Sequence, residues 1–221
     1  MTVIEFNFND DWMGEIGRRL GDLNDKTPDV ISQATNSTAR KARKLIVQSL
    51  REHYAEDAKT KEYNAAMKIA RASRKKYDAT IYIRGKVQNL RRFNVSPKDP
   101  PASGSSRPPT TRAQVLLQGG LKELNKGGIK AFITTFKNGD VVVAQRNGSF
   151  FYTYHRPTGG IDRHHEAIDK LWSISIPKMA ESQLDPKTVR GNMRDTIQAI
   201  LVEEIEKQIA RQLAKHGGNA G

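Results

Sequence analysis

The sequence predicts an α+β domain in which an antiparallel β-sheet with a central hairpin packs against long N-terminal and C-terminal helices. Apolar residues recur at helical spacing over residues 28–54 and again over residues 185–215. Between these helices, residues 129–136 and 141–146 are rich in β-branched and aromatic side chains. An Asn-Gly dipeptide at 138–139 lies between the two runs, and both residue types tolerate the positive φ of a hairpin turn.

The first quarter of the chain contains one predicted strand and two predicted helices. In residues 3–9, apolar side chains occupy every second position, which indicates a short strand with one buried face. Residues 12–23 repeat apolar side chains at helical spacing and follow two aspartates that favour a helix start. The helix of residues 28–54 follows Thr27, a capping residue, and has proline at its first position.

The middle of the chain changes from a basic segment to strands and then to a loop. Residues 56–76 mix alanines with lysines and arginines, so a helix and a basic loop both remain open there. Residues 80–84 and 87–95 are rich in β-branched and aromatic side chains, which predicts two strands. Residues 97–112 contain five of the nine prolines together with serine and glycine. This composition predicts a flexible loop that becomes ordered against a partner.

The end of the chain combines a short β-rich segment with the second long helix. The β-rich segment covers residues 172–176 and closes before Pro177. The helix begins near residue 185, carries an apolar stripe over about eight turns, and stops before a glycine-rich end.

Length and composition fit one compact domain with extensions at both ends. The chain has 221 residues, of which 37% are hydrophobic and 28% charged, so we expect a modest core. We predict an N-terminal arm of residues 1–26, made of the first strand and the short helix. The main α+β domain covers residues 27–215 and includes the flexible loop of residues 97–112, and a disordered tail of residues 216–221 follows.

Several classes of protein are excluded or disfavoured by composition. The chain has no cysteine, which excludes disulfides, zinc sites built on thiolates, and thiol catalysis. No run of eighteen apolar residues occurs. The N-terminal segment has an acidic end and does not have the basic start and apolar middle of a signal peptide. Both features argue against a membrane protein and against a secreted one.

A search for catalytic chemistry finds one candidate cluster. His155, His164 and His165 lie in one polar segment with several carboxylates, but no His-x-x-x-His pair occurs among them. Exposed loop histidines therefore explain the cluster better than a metal site does. The sequence also lacks a glycine-rich phosphate loop and a nucleophile elbow. We predict no catalytic residue, no cofactor and no metal, and hence no enzyme.

Positive charge is concentrated in the middle of the chain. Residues 1–39 carry three basic and seven acidic side chains, whereas residues 40–130 carry twenty-two basic and seven acidic ones. A basic segment of this kind attracts polyanions whatever their base sequence, although a solvated basic face fits equally well. The candidate residues for a surface that faces DNA or another anionic partner are Arg40, Lys41, Arg43, Lys44, Arg74, Lys75 and Lys76.

Four stretches, taken in order, resemble a known family. They are the helical residues 31–44, the basic run and strand of residues 69–85, the hairpin of residues 130–146 that ends on an arginine, and residues 168–179 before the last helix. Their succession resembles the minor tail protein Z family of tailed bacteriophages, whose members are also described as neck or tail-completion proteins. The resemblance covers residues 29–213. The proline-rich loop, the insertion of residues 150–165 and the N-terminal strand depart from the family pattern.

The resemblance implies a structural subunit at the head-proximal end of the tail, in a homo-oligomeric, hexameric ring around the DNA channel. Its neighbours would be neck, tail-terminator or head-closure proteins. Its proximity to genomic DNA would be non-specific, and no membrane would be involved. It would reside in the virion after assembly in the host cytoplasm. The alternative is a free-standing basic protein that binds nucleic acid through phosphate contacts. A metal-dependent nuclease is the third reading.

Overall fold

The computed structural model describes residues 1–6, 10–57, 60–102, 109–154, 161–184 and 192–217. The chain divides into two units. The first unit comprises Met1–Leu50, Lys59–Lys86 and Ser175–Gly221, and the second comprises Arg51–Ala58 and Val87–Ile174. Helices and small antiparallel sheets make up the described residues, so the α+β class is confirmed.

The elements have the following bounds. The helices are α1 (Asp10–Leu20), α2 (Thr27–His53), α3 (Thr60–Ala66), α4 (Ile176–Leu184) and α5 (Asn192–Gly217), with 3-10 turns at Gly21–Lys26, Leu90–Arg92 and Leu117–Gly119. The strands are β1 (Thr2–Phe6), β2 (Met67–Ala70), β3 (Ala79–Ile83), β4 (Val87–Asn89), β5 (Asn94–Ser96), β6 (Arg112–Gln114), β7 (Lys122–Glu123), β8 (Asn125–Lys126), β9 (Ile129–Lys130), β10 (Phe132–Thr135), β11 (Val141–Tyr154), β12 (Ile161–Lys170) and β13 (Trp172–Ser175).

In the first unit, three helices share one apolar core. Successive turns of α1, α2 and α5 place apolar side chains on the inward face at helical spacing, and burial of these side chains holds the helices together. Trp12 and Tyr77 pack against the cluster from its margin. The buried members are Ile16, Leu20, Val30, Ile31, Ala34, Leu201, Ile205 and Ile209.

The first unit also contains an antiparallel sheet with the order β1-β3-β2. The central strand β3 pairs on both sides, with Ile81 opposite Ile4 on one side and opposite Ile69 on the other. Ile81 and Ile83 are fully buried, as expected for a central strand that meets the core. The β1 residues lie at the edge of this sheet, and Thr2 donates a hydrogen bond to the carbonyl of Pro177 at 3.0 Å.

The second unit consists of small antiparallel sheets. One has the order β10-β11-β12, and β5-β6-β7, β13-β4 and β8-β9 form the others. In the first of these, β10 pairs with the start of β11, with Ile133 opposite Val143. Both side chains are buried, and Gly139 occupies the intervening turn with a φ of 86°. The predicted hairpin is therefore present in this unit, while the long helices belong to the first unit.

Part of the N-terminal segment that was predicted to be an arm packs into the first unit. The structure places α1 in the core of the first unit, where Ile16 and Leu20 are buried. Arg19 adds a two-pronged hydrogen bond to the carboxylate of Glu206 on α5. Residues 7–9 of the predicted first strand lie outside the described residues. The apolar stripe of residues 12–23 predicted the helix but not the partners that cover it.

Two segments of the first unit were not predicted as they occur. Residues 56–76 contain the short helix α3 and the strand β2, because pairing with β3 extends the backbone after Ala66. Residues 176–184 form α4, and Pro177 lies in its first turn. Backbone N–H groups in a first turn have no acceptor within the helix, so the N–H that proline lacks is not needed there. The C-terminal helix α5 begins at Asn192, and residues 185–191 lie outside the described residues.

The second unit also departs from the predicted strands. Residues 87–95 break into β4, a 3-10 turn and the start of β5. The strand predicted for residues 129–136 is divided at Ala131, and its first part pairs with β8 instead of β11. In the predicted loop, residues 103–108 lie outside the described residues, as do residues 218–221 of the predicted tail. Among the described helices, none is long and apolar enough to cross a bilayer.

Candidate assembly and anionic-partner surfaces

The seven predicted cationic residues all lie in the first unit, on two elements. Four of them, Arg40, Lys41, Arg43 and Lys44, belong to α2. The buried positions of α2 recur at helical spacing on its other side, which leaves these residues at least partly exposed. The other three form the turn between β2 and β3 and are exposed. They are Arg74, Lys75 and Lys76.

Lys41 binds within the protein. Its Nζ lies 2.7 Å from Oε1 of Glu204 and 3.4 Å from Oε1 of Glu203, both on α5. The hydrogen bond to Glu204 raises the pKa of Lys41. Burial by itself would raise the pKa of Glu204, but hydrogen bonds from Lys41 and Ser37 outweigh it and lower that pKa. Lys41 therefore joins α2 to α5 and neutralises a carboxylate whose side chain is 2% exposed.

Arg74 is also engaged within the first unit. Its guanidinium donates through Nε and Nη2 to the two carboxylate oxygens of Asp29 near the start of α2. These hydrogen bonds raise the pKa of Arg74. Arg74 thus fixes the β2–β3 turn against the helix. Of the seven predicted residues, four are exposed and form no ion pair within the part of the chain that the structure describes, namely Arg40, Lys44, Lys75 and Lys76.

Arg40 and Arg43 line a pocket of about 410 Å³ in the first unit. Arg71, which follows β2, and Arg211 on α5 line the same pocket. Neither of these two is among the residues predicted from the sequence. Arg71 lies in the basic run of residues 68–76 and could have been included on that ground, whereas nothing in the sequence connects Arg211 with it. The fold brings together only part of the predicted set, and it adds two arginines from distant segments.

The second unit carries a long two-stranded ribbon. Strand β10 pairs only with Val141–Ala144 of β11, whereas β11 and β12 pair up to Tyr154 and Ile161. From Gln145 to Tyr154 the ribbon runs for about 30 Å at roughly 3.3 Å per residue. The register shifts between Arg146 and Phe150, and Gly148 lies there with a φ of 79°. The ribbon is thus a two-stranded extension of the three-stranded sheet.

Large apolar side chains are exposed on the second unit as well. Phe150 on the ribbon and Trp172 on β13 are each 54% exposed. Isolated exposed apolar residues are ordinary, whereas a contiguous patch of large ones is typical of surfaces that bind other proteins. The other large apolar side chains exposed on this unit are Val87, Leu116, Leu117, Leu121, Ile129 and Ile168.

The histidine cluster cannot be compared with its prediction in full. Within the described residues, no three His, Asp or Glu side chains are grouped so that they could hold a metal ion. His155 and the side chains of His164 and His165 lie outside the described residues. The absence of a metal site therefore stays a prediction.

The comparison with protein families decides the family. The sequence profile of prophage minor tail protein Z (GPZ) matches residues 16–216, which is most of the chain. The chain belongs to the prophage minor tail protein Z family. This minor tail protein is accordingly a structural protein of the bacteriophage tail. No curated protein and no solved structure matches it. The match begins inside α1 and ends in the last turn of α5, so it includes both the helical core and the ribbon.

Proposed function

We propose that this minor tail protein is a subunit of a neck or tail-completion ring that joins the tail to the head around the DNA channel. Its partners are copies of itself, six in the ring, and neighbouring neck, tail-terminator or head-closure proteins. The ribbon β11–β12 is the observation that carries the proposal. The protein acts through binding surfaces, with no catalytic step.

The ribbon supports subunit contacts because a two-stranded ribbon is marginally stable alone in water. In the described sheet order β12 is an edge strand, and β11 has no second partner strand beyond Ala144. Such edges offer unpaired backbone groups to a neighbouring chain, and pairing with a subunit satisfies them. Phe150, exposed on the ribbon, supplies an apolar side chain for the same contact. A ring repeats this contact from each subunit to the next.

The net charge of +13 supports a position near DNA. Counterion release at phosphates favours a basic protein there without any sequence-specific contact. Lys44, Lys75 and Lys76 carry exposed charge on the first unit and suit this role, whereas Lys41 and Arg74 are engaged in internal ion pairs. The contact proposed with genomic DNA is therefore electrostatic and non-specific.

The test combines position in the particle with a ribbon variant. Gold-labelled antibody against the protein should mark the head-proximal end of the tail in purified particles. Phe150→Ser should lower incorporation into particles at least about tenfold, by loss of an interface anchor. Val3→Ser is the control, since Val3 is an exposed apolar side chain of the first unit. It should be incorporated normally.

Three results would contradict the proposal. One is label at the tail tip, and another is equal incorporation of both variants. The third is absence from particles together with a monomer or dimer that binds duplex DNA with a steep dependence on salt. That last result would favour the free-standing nucleic-acid-binding protein instead.

A further inference from the structure

Four arginines line one pocket of the first unit. Arg40 and Arg43 come from α2, Arg71 from the residues after β2, and Arg211 from α5. The pocket measures about 410 Å³, which is within the range of small-molecule sites. Among the residues that the structure describes, no aspartate or glutamate lines it. Like charges from separate segments repel one another when the fold brings them together. A bound anion would neutralise this local positive charge.

Two internal contacts hold the walls of this arginine pocket in place. Asn36 of α2, itself a lining residue, accepts a hydrogen bond from the backbone nitrogen of Ala72 at 2.9 Å and donates to its carbonyl at 3.0 Å. This pair of bonds fixes Arg71 beside α2. On the other side, Lys41 binds Glu204 of α5 at 2.7 Å and so ties α5 to the same helix. The pocket is thus bounded by elements that the protein fastens to each other without using its four arginines.

Within the described residues, several polar groups of the pocket lack partners, although Asn36 has two. None of the four arginines forms an ion pair with a carboxylate of the described residues. Nε of Arg43 is buried and donates to no acceptor among the described residues, and a buried donor without an acceptor is costly. Gln208, only 7% exposed, also lines the pocket, and its Oε1, an acceptor, has no donor in the described part of the chain. A ligand that accepts several hydrogen bonds and carries negative charge would satisfy the guanidinium donors.

We infer that the arginine pocket is a binding site for a phosphate group. Guanidinium groups pair with phosphate oxygens in a two-pronged geometry, and a tetrahedral phosphate presents oxygens to several arginines at once. A carboxylate carries one negative charge and lies in one plane, so it matches four arginines from three segments less well. The volume accommodates a phosphate together with part of the group attached to it. The phosphate comes either from a free phosphate compound or from a DNA backbone, and the inference does not depend on a ring.

Calorimetric titration of the full chain with inorganic phosphate tests the site, with sodium chloride of matched ionic strength as the blank. Wild type should bind phosphate with saturation. Arg71→Gln and Arg211→Gln should each weaken this binding about tenfold or more, as expected for loss of a charged hydrogen bond. Lys44→Gln is the matched control, because it removes one positive charge from α2, the helix of Arg40 and Arg43, at a position outside the pocket. It should change the affinity less than about twofold.

A thermal measurement and a competition arm complete the test. At a hundredfold excess over Kd, phosphate should raise the Tm of wild type by roughly 5 to 10 °C and that of the arginine variants by less. A short DNA duplex that displaces phosphate assigns the pocket to the DNA backbone, and a duplex that leaves phosphate bound assigns it to a free phosphate compound. Absence of saturable phosphate binding, or equal losses in Lys44→Gln and Arg71→Gln, overturns the inference.

Discussion

Truncation of Ile16 tests whether the N-terminal residues belong to the core of this tail protein. The sequence predicts residues 1–26 as an arm, whereas the structure buries Ile16 to 1% exposure among Ile31 and Ile205. Ile16→Ala removes three carbon atoms from this cluster. At about 0.8 kcal/mol for each buried methylene, the lost transfer free energy is about 2.4 kcal/mol. The unfilled cavity raises the expected loss of unfolding free energy toward about 4 kcal/mol.

The assay follows urea unfolding of the full chain by the fluorescence of Trp12. Trp12 packs against the same cluster as Ile16, and Trp172→Phe removes the other tryptophan, which lies in the second unit. In this background, Ile16→Ala should lower the unfolding free energy by about 2 to 4 kcal/mol. The control Val3→Ala alters a side chain that is 40% exposed and should cost less than about 0.5 kcal/mol. A loss below about 0.5 kcal/mol for Ile16→Ala would refute the buried position and favour the arm.

Two further predictions concern single side chains. Because the pKa of Glu204 in the folded protein lies below its ordinary value of 4.5, its charge stabilises the fold above that pH, and this contribution is lost as the pH falls through the folded pKa. Glu204→Gln should therefore be less stable than wild type at pH 7, and the difference should shrink below pH 4.5 in thermal unfolding; a constant difference from pH 7 to pH 3 would contradict this. Gly139→Ala should cost about 1 to 2 kcal/mol because φ is 86° in the hairpin turn, measured by unfolding followed at Trp172. Gly119→Ala, which meets no contact closer than 3.9 Å, should be tolerated, and equal losses in both variants would contradict a turn-specific cost.

The elements that the sequence predicted well are those with a local cause. The spacing of apolar residues in α2 follows from the helical repeat itself, and the structure places α2 at Thr27–His53, within a residue of the predicted bounds. The turn at Gly139 follows from a residue that accepts positive φ without a Cβ. Neither inference needs knowledge of a distant segment. Both therefore survive without any tertiary information.

The strand β2 shows where local patterns are insufficient. Alanines and lysines dominate the residues around Met67–Ala70, and their intrinsic preference is for helix. Pairing with β3 makes them a strand, and that pairing depends on the turn between them and on the core beneath. The same holds for α1, whose apolar stripe predicts a helix but not its contact with Ile205. Propensity is a weak prior when backbone pairing and burial oppose it.

Some properties of the candidate surfaces likewise follow from the sequence, and others depend on the tertiary structure. The sequence alone determined that the chain is basic in its middle, lacks cysteine, and resembles the minor tail protein Z family, since charge and residue order are properties of the chain itself. Tertiary structure decided which cations remain available, because Lys41 meets Glu204 and Arg71 meets the pocket of Arg211 only after segments far apart in sequence pack together. An ion pair or a pocket depends on distances in space, and only the folded chain sets those distances.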